Sequence, residues 1–138
     1  MPFDDNLICE RVEYLDEQIN QLDIITLWYP DYADAIYNKR FSTGWLQFTD
    51  NTRIMLFEEY GIVEYKLKIS RYCYILCDST GKEILRADNS EHHNVSTTPH
   101  HVHDFRFHKR GQVKPFYKQE LDNPDITEFF AHIRGERR

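Results

Sequence analysis

Apolar residues recur at Ile8, Val12, Leu15, Ile19 and Leu22, at spacings of 4, 3, 4 and 3. That is one face of an α-helix, predicted over 5–22. Acidic residues crowd its first turns, where the helix dipole favours negative charge. Aromatic and β-branched residues then take over, so 24–29 reads as a strand and 35–41 as another. The run 45–49 leads into Asp50-Asn51-Thr52, a turn signal, and 53–60 runs out again. This predicts a β-hairpin, broken by Gly61. Tyr65, Leu67 and Ile69 alternate along 64–77, Asp78 to Lys82 forms a second turn, and 83–87 makes a short strand. After Asp88 the apolar periodicity stops until Phe105.

At the C-terminus, Asp122-Asn123-Pro124-Asp125 supplies a capping residue and a Pro at the first helical position. Ile126, Phe129, Phe130 and Ile133 then form a short amphipathic helix. Together these elements predict a single α+β domain over 1–138. It is an antiparallel β-sheet of about five strands packed with an N-terminal and a C-terminal helix. Trp28, Trp45, Phe129 and Phe130 are the expected large core residues.

The composition, 41% hydrophobic and 29% charged over 138 residues, is that of one globular domain. No run approaches the roughly 18 apolar residues of a membrane helix. The acidic start lacks the order of a secretion signal. A soluble, cytoplasmic protein with no membrane attachment is the expectation. Three Cys make no disulfide framework. Cys73 and Cys77 on one strand stand about 13 Å apart, beyond the reach of a disulfide.

The net charge of −6 hides an asymmetry. From Met1 to Val63 there are 12 Asp/Glu against 4 Lys/Arg. From Lys66 to Lys118 there are 10 Lys/Arg against 5 Asp/Glu, and six of the seven His. The basic, His-rich region 86–118 can attract a polyanion although the whole protein is acidic.

Its core is RADNSEHHNVSTTPHHVH, residues 86–103, where His92, His93, His100, His101 and His103 fall within twelve positions. Histidine gives and takes protons near neutral pH. Two of them flanking a phosphodiester can act as base for an RNA 2′-hydroxyl and as acid for the leaving 5′-oxygen. Arg or Lys would offset the charge on the phosphoryl oxygens. The same residues admit a metal site, because His101-x-His103 in an extended strand puts both imidazoles on one face. Asp88 or Glu91 would complete it. A loop of solvated histidines accounts for any one of the five better than for all of them.

The stretch DNSEHHNVSTTPHHVH resembles the signature of the TumE-like family, toxin components of prokaryotic toxin–antitoxin pairs. The matching positions are Asp88, Asn89, His92, His93, Pro99, His100, His101 and His103. Upstream, the Thr49–Thr52 turn, Glu59-Tyr60, Arg71-Tyr72-Cys73-Tyr74 and the Asp78–Gly81 turn are similar as well. The resemblance implies a toxin that stops translation as a metal-independent endoribonuclease, without a cofactor. It also implies a cognate antitoxin with a helix-turn-helix DNA-binding domain. Ile75 departs from the family, which has a polar residue there, and the segment 105–118 is longer and more basic.

On this reading His93, His101 and His103 are the acid–base candidates, with Glu59 and Arg71 beside them. Tyr74, Arg86, His92, His100, Arg106, Lys109 and Arg110 are the candidates for RNA contact, with Lys114 and Lys118 extending the basic patch. Several have plainer explanations. Glu59 beside Glu58 fits a pair of exposed carboxylates, Arg71 fits a cross-strand ion pair, and Tyr72 and Tyr74 fit packing beneath a helix. Asp88 serves either to start a turn or to orient a His ring. Two other functions compete with the ribonuclease, a metal-binding hydrolase on the same histidines and a non-enzymatic interaction module. The protein could also form oligomers.

Overall fold

The computed structural model describes residues 3–90, 100–106, 112–116 and 123–135. Helix α1 spans Phe3–Asn20 and buries Ile8, Val12, Leu15 and Ile19, the face predicted from their spacing. Strand β1 (Ile25–Asp31) leads into a short helix, α2 (Ala33–Asn38), where a strand was expected. Local bonding explains the difference. The Asp34 carboxylate accepts from the Phe41 amide at 3.1 Å and from Arg40 at 2.7 Å, pulling the chain into a turn. Lys39 closes that turn in the left-handed region, with φ 56°.

Strands β2 (Phe41–Phe48) and β3 (Arg53–Val63) form the predicted hairpin. Strand β3 continues through Gly61. The break falls instead at Glu64 and Tyr65, whose positive φ values of 52° and 65° make the two-residue turn into β4 (Lys66–Cys77). Strands β5 (Glu83–Asp88), β6 (His101–Asp104) and β7 (Gln112–Pro115) follow, and α3 (Ile126–Ile133) comes last. Asp125 is the α3 N-cap, its carboxylate accepting from the Thr127 amide at 2.9 Å. Pro124 therefore precedes the cap and does not open the helix.

The seven strands among the described residues pair in chain order, every neighbour antiparallel, so the α+β class holds with two strands more than expected. The apolar faces of α1 and α3 join one side of this sheet in a single core that includes Leu46, Ile54, Tyr72, Tyr74 and Leu85. Gly44 sits on that side beneath Trp28, where an added Cβ would lie 2.7 Å from the indole ring. The opposite side carries no helix among the described residues. Among the described residues, no helix is long and apolar enough to cross a membrane.

Candidate functional site

Side chains alternate across a strand, so the pairing register fixes what shares the outer side of the sheet. One row crosses it as Asp31, Thr43, Phe57, Cys73, Asp88, His101 and Pro115. The neighbouring row runs Tyr29, Trp45, Met55, Ile75, Arg86, His103 and Val113. These rows run from one edge of the sheet to the other and span 84 positions of sequence.

At the β5–β6 end of the rows, His101 Nε2 lies 3.1 Å from Asp88 Oδ1 and 3.1 Å from His103 Nε2. The ligating atoms of the three residues all lie within 4.8 Å of one another. Asp88 and His101 are buried and His103 is half-buried. The two imidazoles meet edge to face, with ring centres 4.7 Å apart. His103 is held flat against Phe105, at 6.0 Å and 6° between planes. Arg86 stands opposite His103 in the register and forms an ion pair with Glu83 at 2.7 Å. The extended His-x-His segment thus puts both imidazoles on one face of the strand, and the Asp88 carboxylate meets them there.

Away from the cluster, the same face forms a groove of about 570 Å³ lined by Tyr29, Trp45, Met55, Phe57, Cys73 and Ile75. The Tyr29 and Trp45 rings are 4.7 Å apart. Arg53 lies over Trp45 and Arg71 over Phe57, each at 5.2 Å. Trp45 therefore belongs to this outer side and not to the core. Ile75, the departure from the family pattern, lies in the row beside Arg86. Burial, opposed by Arg86, pushes the Cys73 thiol up to about 11, so it is no nucleophile at neutral pH.

Other candidates stand elsewhere. Glu59 and Arg71 are neighbours in the register and form an exposed ion pair at 3.3 Å, on the cluster's side of the sheet. Tyr74 cannot stack on RNA. It is fully buried on the helix side, and its hydroxyl bonds to Glu58. His100 also turns away from His101, stacking on Tyr72 and meeting its hydroxyl through Nδ1 at 2.9 Å. Burial, with His101 and Lys68 nearby, pushes its pKa down to about 4. A neutral ring has no charge to offer a phosphate.

Arg106 is taken up by structure. It donates to Asp104 and to the carbonyls of His132 and Ile133 at the end of α3, the latter two at 2.7 Å. Lys114 is buried and bonds to the same Asp104 at 3.0 Å. His132 is buried in α3. His92, His93, Lys109, Arg110 and Lys118 lie outside the described residues, as do Glu91, Pro99 and His108.

One buried polar centre was not foreseen. Glu58 is fully enclosed, accepting from Arg11 Nε at 3.0 Å and Nη2 at 2.6 Å, from Tyr60 at 3.1 Å and from Tyr74. Arg11 also donates to the Pro124 carbonyl at 2.8 Å. The network ties α1 to β3, β4 and the approach to α3. Period two carries the signal: Ile54, Leu56, Glu58 and Tyr60 are in phase on one side of the strand, and Glu59 is out of phase.

Comparison with curated proteins and with solved structures finds no match. A family model described as toxin TumE matches residues 28–137, which include every described strand except the first three residues of β1, all of the Asp88–His101–His103 cluster and the aromatic groove. The chain belongs to the TumE toxin family.

Proposed function

We propose that this toxin is an endoribonuclease that acts at the Asp88–His101–His103 cluster. The observation that carries the reading is the joining of two imidazoles and a carboxylate at 3.1 Å contacts, in register with Arg86. The cluster activates a ribose 2′-hydroxyl. As its proton leaves, the 2′-oxygen bonds to the adjacent phosphorus and the bond from phosphorus to the 5′-oxygen breaks. The 5′-oxygen takes up a proton, leaving a 2′,3′-cyclic phosphate and a 5′-hydroxyl. Arg86 offsets charge on the phosphoryl oxygens, and Arg71, on the same face, contacts a neighbouring phosphate.

His101 and His103 are too close together to flank a phosphate from opposite sides. They act as one unit on the attacking side, and the acid for the leaving oxygen comes from His93 of the D-N-x-x-H-H stretch. The aromatic groove supports RNA as substrate, because bases stack on aromatic side chains whatever their sequence. Phe57 is three strands from His101 in the same row, about 14 Å at the usual strand spacing. That is the span of about two nucleotides. A toxin family implies an antitoxin partner, and a helix-turn-helix antitoxin is part of this reading.

The test is a single-stranded RNA incubated with the purified protein in the absence of chelator. Fragments ending in a 2′,3′-cyclic phosphate, and no cleavage where the ribose is 2′-deoxy, are expected. Intact RNA, or cleavage at a deoxy position, contradicts the mechanism.

A further inference from the structure

The contacts at the cluster cannot all be good hydrogen bonds. Each Nε2 carries either one proton or one lone pair. A proton on His101 Nε2 directed at Asp88 leaves none to point at His103. A proton on His103 Nε2 directed at His101 needs the His101 lone pair, which then faces the Asp88 carboxylate. No assignment with Asp88 ionised makes both 3.1 Å contacts straight hydrogen bonds. A cation between the three atoms satisfies all of them at once, since each then turns a lone pair inward.

The spacing of His101 from each of the other two fits such an ion. Ligands about 2.0–2.1 Å from a metal and separated by tetrahedral or right angles lie about 2.9–3.4 Å apart. The separations of His101 from Asp88 and from His103 are both 3.1 Å, and all three ligand atoms lie within 4.8 Å of one another. The three residues project from adjacent antiparallel strands, Asp88 opposite His101 and His103 two residues on. Burial of Asp88 and His101 removes the competition from water that makes an exposed acidic cluster a poor site. Phe105 fixes the ring plane of His103.

We propose that Asp88, His101 and His103 form a binding site for one divalent transition-metal ion, with zinc the expected occupant. Two imidazoles and one carboxylate suit zinc and its neighbours, whereas magnesium and calcium select oxygen ligands. Three protein ligands match the number in catalytic zinc sites, which keep a further position for water or a substrate oxygen. Bound there, the ion would lower the pKa of a coordinated hydroxyl and offset charge on a phosphoryl oxygen. The site takes up the metal-binding alternative that His101-x-His103 offers in the sequence, in place of the metal-free one. Its catalytic meaning rests on the ribonuclease reading, but the binding itself does not.

The experiment is a calorimetric titration of zinc chloride into the full-length, tag-free, metal-stripped protein, with magnesium chloride as comparison. One equivalent of zinc is expected to bind the wild type, with at least 100-fold weaker binding in His101→Gln, His103→Gln and Asp88→Asn. Magnesium is expected to give no binding. Circular dichroism identifies any variant that fails to fold. Imidazole nitrogen resonances of the wild type then give a reading that needs no variant. Stoichiometric zinc is expected to shift the signals of His101 and His103. Absence of zinc binding, undiminished binding in folded variants, or shifts confined to other histidines would overturn the site. RNA cleavage is scored on the same samples. A wild type that takes up zinc through these residues and leaves RNA whole upholds the site and removes only the ribonuclease reading.

Discussion

His101 and His103 bring their Nε2 atoms to 3.1 Å because they are two residues apart on one strand and lean towards the same carboxylate. That carboxylate, Asp88, ends the adjacent strand directly opposite His101. The cluster therefore lies on the side of the sheet that carries no described helix.

Trp45 should matter for RNA and little for the fold. It lies on the outer side against Tyr29 and Arg53. Base stacking on such a ring is worth about 1–3 kcal/mol. Trp45→Ala is expected to weaken binding of a labelled single-stranded RNA about 5- to 150-fold by fluorescence anisotropy. Unchanged affinity would show that the RNA path avoids the groove.

Glu58→Gln should be among the most damaging single changes in the core. It leaves the Arg11 guanidinium buried without its counter-ion. Breaking a buried pair in this way costs about 3–5 kcal/mol. The urea midpoint should fall accordingly, while Glu59→Gln, at the exposed neighbour, should barely move it. Equal effects would mean that the network does not hold the helices to the sheet.

Acid should weaken the attachment of β6, β7 and α3. Burial opposes the Asp104 charge, but hydrogen bonds from Arg106 and Lys114 overcome it and hold the carboxyl well below its ordinary 3.8. As pH falls, the unfolded chain takes up this proton before the folded one. The stabilisation from Asp104 is therefore complete above about pH 4 and drains away below it. Asp104→Asn should be less stable than the wild type at pH 7, and the gap in urea midpoint should narrow towards about pH 2.5. A gap independent of pH would contradict the assignment.

How far the sequence reaches depends on which physical signal an element leaves. Helix α1 and the β2–β3 hairpin follow from apolar period and turn residues. Strands β6 and β7 leave no such signal, because their core-facing positions include Asp104 and Lys114, which satisfy each other only after folding. The His-x-His pair of the cluster was legible from period two. Its union with Asp88 in one centre, and the placing of Trp45 and Phe57 in rows leading to it, depend on strand register, which no local pattern encodes. Tyr72 and Tyr74 show the same limit. Their shared face is readable, but which side of the sheet it covers is decided by where α1 and α3 pack.

The most direct test of the central claim is induction of the wild type and of the His101→Ala/His103→Ala double variant in cells lacking the antitoxin, with total RNA resolved on a gel. The account predicts growth arrest and discrete RNA fragments for the wild type alone, with both proteins present at equal levels. Growth arrest with the same fragments from the double variant, or arrest by the wild type with RNA intact, would contradict it.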